Sequence, residues 1–154
     1  MITHSNGALL GLTDDLMAND CQIRFRATGS SMHPTIRDGE PIVLQRIDLA
    51  QLRKGDIVLS RQGDRLFAHR IVKLTKAHGL PTSMLLRGDG MASCDLPLGP
   101  GAIVAKVVAV ERRGRLIDLG SRRAKAAFTL RRWLLYRRPL AQFARLTVSL
   151  ARKI

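Results

Sequence analysis

The stretch DIVLSRQGDRLFAHRIVKL, residues 56–74, decides the fold class. Asp56–Arg61 and Arg65–Leu74 read as two short strands, and Gln62-Gly63-Asp64 between them reads as a hairpin tip. Alternation along the second strand places Phe67, His69 and Ile71 on one face. Leu66, Ala68, Arg70 and Val72 then share the other.

Outward from this hairpin the same period of two recurs. Ile23, Phe25 and Ala27 alternate with Arg24, Arg26 and Thr28, which predicts a half-buried strand from Cys21 onward. Gly29 to Pro34 is a small-residue and proline segment that reads as a turn. Further strands are expected at Pro41–Ile47, Ser83–Arg87, Ala102–Val110 and Leu116–Leu119. Arg37-Asp38-Gly39, Lys54-Gly55 and Arg113-Gly114 punctuate them with glycines suited to tight turns. The pattern predicts a mainly β domain over residues 21–119.

The flanks follow another period. Leu9, Leu10, Leu12 and Leu16 predict a short helix over residues 8–19, within an N-terminal segment of residues 1–20. From Arg122, Ala126, Leu130, Trp133 and Leu134 share one helical face, while Arg123, Arg131, Arg132, Arg137 and Arg138 crowd elsewhere. Pro139 ends or kinks this helix, and Leu140, Phe143, Leu146 and Leu150 restart the stripe. Residues 120–154 therefore read as a basic amphipathic helical tail.

Composition agrees with a single globular domain. Of 154 residues, 45% are hydrophobic and 25% charged, which excludes a disordered chain. Only 4% are aromatic, so the core must rest on Ile, Val and Leu. The formal charge is +14, and it is unevenly placed. Residues 1–110 carry 13 basic against 10 acidic side chains, a net of +3; residues 111–154 carry 13 against 2, a net of +11. A field of this sign attracts phosphate, on nucleic acid or anionic lipid.

No signal peptide is expected: the first basic residue is Arg24, and Ala8-Leu9-Leu10 is too short an apolar core. Nor is there a run of 18 apolar residues. A cytoplasmic or peripherally membrane-associated protein is the expectation. Cys21 and Cys94 are too few for a disulfide framework and read as two buried thiols, with pairing in an oxidising compartment left open. Together with His4, His33 and His78 they offer no zinc ligand set at workable spacing. Phosphate-binding glycine loops are absent as well, so neither metal nor cofactor is expected.

Chemistry concentrates in Gly29-Ser30-Ser31-Met32-His33-Pro34-Thr35. A serine in a glycine-flanked turn after a strand can project its hydroxyl and expose its own N–H, as acyl transfer requires. His69, flanked by Phe67 and Ile71 on one strand face, is expected to be partly desolvated, which favours the neutral, proton-accepting ring. Arg87-Gly88-Asp89-Gly90, with Asp95 beyond it, is the third candidate. Each segment taken alone also reads as ordinary structure: a polar turn, a structural histidine, a solvated β-turn.

Their order is more specific. The serine box, then Gly55-Asp56-Ile57-Val58, then His69-Arg70-Ile71-Val72, then Arg87-Gly88-Asp89 with Asp95 resembles the type I signal peptidases. The similarity is to the archaeal and endoplasmic-reticulum branch of a clan that also holds the LexA-like self-cleaving repressors. It covers residues 23–110. It implies a signal-peptidase/LexA-like β domain and a serine endopeptidase, with Ser31 as nucleophile, His69 as general base and Asp95 as third acid; Asp89, close to the site, is the other catalytic candidate for that third place. A lysine base elsewhere in the clan is replaced by His69 here. Ser30, Met32 and Pro34 are the expected oxyanion and substrate-binding neighbours. The chain departs from the pattern at Gly29, where a hydroxyl residue is common, at Arg87 for lysine, at Gly90-Met91 for asparagine, and in its lack of a membrane anchor.

The resemblance makes a peptide or protein the substrate. The alternatives are a cytoplasmic processing or self-cleaving regulatory protease of the same clan, or a non-catalytic basic β module docking on membrane or RNA. Against self-cleaving repressors, no sizeable DNA-binding domain is expected ahead of Ser31. Three readings share the tail. It lies on an anionic membrane with Trp133 and Tyr136 at headgroup level, contacts nucleic-acid phosphates, or packs on the β domain as a solvated helix. Nucleic acid is disfavoured because aromatics are too few for stacking platforms. An integral-membrane partner could substitute for the absent anchor.

Overall fold

The computed structural model describes residues 22–121 and, beyond them, Ala126 alone. The chain partitions into two units, residues 1–121 and 122–154, and the sheet belongs to the first. The expected helix over residues 8–19, Cys21, and the tail with Trp133 and Tyr136 lie outside the described residues.

Seven strands form one antiparallel sheet: β1 (Ile23–Arg26), β2 (Pro41–Gln45), β3 (Ile57–Gln62), β4 (Arg65–Ala77), β5 (Leu80–Arg87), β6 (Ile103–Arg112) and β7 (Arg115–Asp118). Their order is β1-β2-β6-β3-β4-β5, with β7 beside the end of β6. Single 3-10 turns sit at Leu49–Gln51 and Pro100–Ala102. The protein is mainly β, as the alternating pattern predicts. Among the described residues no helix is long and apolar enough to cross a membrane.

The hairpin at residues 56–74 forms as read, with Gln62 opposite Arg65 across Gly63-Asp64. Both of its faces are covered, a departure from a half-buried sheet. Ile57 and Leu59 join one apolar cluster with Leu66, Ala68, Ile42 and Val107. Val58, one residue out of phase, joins a second with Ile71, Met84, Leu86 and Ile103. This explains the unbroken apolar run in β3, because a strand packed on both sides has no polar face to alternate with. Burying Leu59 completely is worth about 1.5–3 kcal/mol relative to leaving it in water.

Strand β4 is the pivot. Its first half pairs with β3 up to Ile57 opposite Arg70; from Arg70 opposite Arg87 it pairs with β5. It runs on to Ala77, and β5 starts at Leu80 rather than at Ser83. The turn between them, His78-Gly79, has φ of 50° and 81°. Two consecutive left-handed residues suit the twist of a two-residue hairpin. A histidine in the first of these positions gave no turn signal, which is why the sequence reading stopped short. Strand β2 ends at Gln45, two residues before the expected Ile47.

One ion pair ties the start of β2 to the end of β6. The guanidinium of Arg112 donates to both carboxylate oxygens of Glu40. That bond, helped by the Arg37 N–H, holds the Glu40 carboxyl below its ordinary range against a burial effect that raises it. A depressed acid contributes stability above its unfolded value and loses it as pH falls through the folded one. Thermal unfolding of wild type and Glu40→Gln should therefore differ most near neutral pH. The gap should close progressively below about pH 4, where unfolded carboxylates take up protons. A gap independent of pH would contradict this.

Candidate active site

Strand pairing and one turn bring three side chains together. Ser31 sits in a turn after β1 in which the His33 N–H donates to the Ser30 carbonyl at 3.0 Å and the Ile36 N–H to the Met32 carbonyl at 3.1 Å. Met32 and Ile36, 4% and 2% exposed, anchor that turn in the first apolar cluster. Asp38 accepts from the Gly29 N–H at 2.7 Å and fixes its entry.

The second wall is the loop after β5. The Gly90 N–H donates to the Ser31 carbonyl at 2.8 Å. Gly88 approaches so closely that a Cβ there would stand 2.4 Å from the Ser31 carbonyl oxygen. Only glycine fits without moving the serine. Further on, the loop folds back along the outer edge of β5: Met84 and Leu98 exchange backbone hydrogen bonds of 2.8 Å, and the Asp95 N–H donates to the Leu86 carbonyl at 2.9 Å.

His69 stands on β4 one residue before β5 begins to pair, and 5% of it is exposed. Its ring lies 5.9 Å, centroid to centroid, from that of Phe67, in keeping with a shared strand face. The Nδ1 atom lies 2.6 Å from Asp95 Oδ2, and Nε2 lies 3.2 Å from Ser31 Oγ. A carboxylate accepts only, so Nδ1 carries the hydrogen and Nε2 is left to accept from the serine hydroxyl. Among the described residues, no group accepts from the Ser31 N–H. That donor stands beside the hydroxyl, where an oxyanion would develop.

Asp89 does not touch this relay. Its carboxylate takes two bonds from Arg70, at 2.8 and 2.7 Å, and a third from the Thr35 hydroxyl. Its N–H points at the Met32 sulfur, 3.4 Å away. The Arg70 and Asp89 side chains are 7% and 2% exposed, and Arg70 also donates to the Gly55 carbonyl. Asp89 thus lies at one remove from the expected centre, as a brace between the histidine strand and the serine turn. Removing one partner of such a buried pair typically costs about 3–5 kcal/mol.

The other expected neighbours separate. Ser30 is exposed, Pro34 is half-buried, and Met32 is a core residue rather than a substrate-facing one. The expectation of a buried thiol fails at Cys94, which is exposed and free. Among the described residues no three His, Cys, Asp or Glu side chains cluster as metal ligands would. Sequence reasoning assigned no part to Arg70, Thr35 or Gly88. One signal for Arg70 was present: it is the single charge on the face shared by Leu66, Ala68 and Val72.

A mainly antiparallel β domain presenting serine, imidazole and carboxylate in hydrogen-bonded series has the arrangement of a serine hydrolase. Residues 5–80 match the family model described as Peptidase S24-like, and over that span the chain is similar to that family. The match supports a serine peptidase, and it includes Ser31 and His69 while ending before Asp89 and Asp95. No curated protein matches the chain.

Proposed function

We propose that the protein is a serine endopeptidase that cleaves a leader- or signal-type peptide bond through an acyl-enzyme. The single observation that carries this is the continuous relay from Ser31 Oγ to His69 to Asp95.

In the proposed cycle His69 Nε2 takes the proton as Ser31 Oγ attacks the scissile carbonyl. Asp95 holds the imidazolium, which then protonates the leaving amine. Water, activated by the same ring, releases the acyl group and restores the serine. General acid–base catalysis of this kind contributes about 10²–10⁴ in rate, and one oxyanion donor about 10²–10³. The relevant donor is the Ser31 N–H, with the exposed Ser30 hydroxyl as a second candidate. Among the described residues, β4 ahead of Arg70 has no strand partner on the side away from β3. A peptide laid along that edge can pair with backbone and bring its carbonyl to Ser31.

The Peptidase S24-like match favours a second reading, cleavage within the protein's own chain. In either reading the net charge of +11 over residues 111–154, a span that includes the tail, suits an anionic membrane surface.

The two readings part in one experiment. Purified full-length protein is incubated with a panel of leader-bearing precursor peptides while its own mass is followed. Multiple turnovers of a precursor, lost in Ser31→Ala, are expected. First-order shortening of the chain itself without turnover would move the assignment to self-processing. Neither reaction at any enzyme concentration would overturn both.

A further inference from the structure

We infer that Arg112 is a positioning residue for the reactive serine, gripping the Ser31 turn through the Thr35 carbonyl and Glu40. The inference rests on the serine peptidase reading.

Thr35 is held from both ends. Its hydroxyl bonds to Asp89, which Arg70 braces from β4. Its carbonyl accepts from Arg112 Nη2 at 3.1 Å. The same guanidinium is locked against Glu40, whose Oε2 accepts from the Arg37 N–H at 2.8 Å. Arg112 thus grasps the turn at residue 35 directly and at residue 37 through Glu40. Meanwhile the Ile36 N–H closes one helical turn onto Met32, directly behind Ser31. The Arg112 and Glu40 side chains are 25% and 13% exposed, so water competes only partly for these bonds.

The two braces pull from different strands. Arg70 belongs to β4, which carries His69; Arg112 ends β6, two places away in the sheet. Together they set the turn's height above the sheet, and with it the separation of Ser31 Oγ from His69 Nε2. The geometry calls for arginine. Its planar fork serves a carboxylate with two nitrogens while one of them also reaches a carbonyl, which a lysine ammonium cannot reproduce. Misplacing a reacting atom by about 1 Å can cost about 10² in rate, without weakening substrate binding.

The test compares full-length Arg112→Gln, Arg112→Lys and Glu40→Gln with wild type, on a peptide whose turnover is lost in Ser31→Ala. Rates are expressed per active site titrated with a fluorophosphonate, so that unfolded molecules do not count. Arg112→Gln is expected to lower kcat about tenfold to hundredfold with KM within about twofold of wild type. Arg112→Lys should recover less than half of the loss on the logarithmic scale, and Glu40→Gln should give a smaller fall of the same kind. Arg24→Gln, which removes an exposed ion pair with Glu111, should leave both constants unchanged. If Arg112→Gln fails to fold, Glu40→Gln alone decides by the same criterion. An unchanged kcat per titrated site, full rescue by lysine, or a loss confined to KM would overturn the inference. Turnover surviving in Ser31→Ala would instead remove the peptidase reading beneath it.

Discussion

Ser31→Ala is expected to abolish peptide hydrolysis, lowering kcat by on the order of 10⁵–10⁶ while leaving the fold intact. The size follows from the relay. Without Oγ the attacking atom is gone, and only substrate binding and the Ser31 N–H remain to assist adventitious water. His69→Ala should fall to the same floor, because a serine without its base is a poor nucleophile at neutral pH. Ser31→Ala/His69→Ala should be no slower than either single variant, since the two residues act as one unit. Circular dichroism and thermal unfolding should be unchanged in Ser31→Ala, whose hydroxyl supports no other bond than the one to His69 among the described residues. Single-turnover cleavage measures the effect. A variant retaining a tenth of wild-type activity would end the acyl-enzyme mechanism.

The second large effect belongs to Asp95. Asp95→Asn replaces an acceptor with an amide able to donate to Nδ1, which moves the ring hydrogen to Nε2 and leaves nothing to take the serine proton. A fall of about 10³–10⁴ in kcat is expected, with KM little altered. Asp89→Asn makes the instructive comparison. That carboxylate is matched to a buried guanidinium and to Thr35, so its loss strands the Arg70 charge. Its signature should be a lowered Tm, accompanied by lost activity as the Ser31 turn loosens. Parallel measurement of Tm and kcat in the two variants distinguishes the carboxylates. Equal Tm losses in both would contradict the separate parts given to them here.

Much of the sheet was legible because short-range rules govern it. Gln62-Gly63-Asp64 between two apolar runs is a local signal, and the hairpin formed where that signal stood. The strand limits failed where local chemistry was silent, at His78-Gly79, and where tertiary pairing carried β4 beyond its apolar stretch. The members of the relay were legible only through the family resemblance that the order of their boxes carries, since no local rule says that residues 31, 69 and 95 meet. Their meeting depends on a register: Arg70 opposite Arg87 fixes where β5 stops, and so where Gly88 and Gly90 press on the serine. The braces were illegible for the same reason. Thr35 and Arg112 are 77 residues apart, and the contact exists only once β2 and β6 are paired. Cys94 misled because the general tendency of thiols toward the interior yields to the loop that must carry Asp95 outward along β5.

The change of partner along β4 bears on when such a centre can be assembled. Emerging from the ribosome, the chain delivers the hydroxyl first, the imidazole 38 positions later and the carboxylate after a further 26. Until the segment beyond position 87 has folded back, the ring has no orienting acid and the serine loop lacks its glycine backing. A nascent or half-denatured molecule therefore lacks the assembled relay. Assembly of the relay is thereby tied, by topology, to completion of the sheet's far edge.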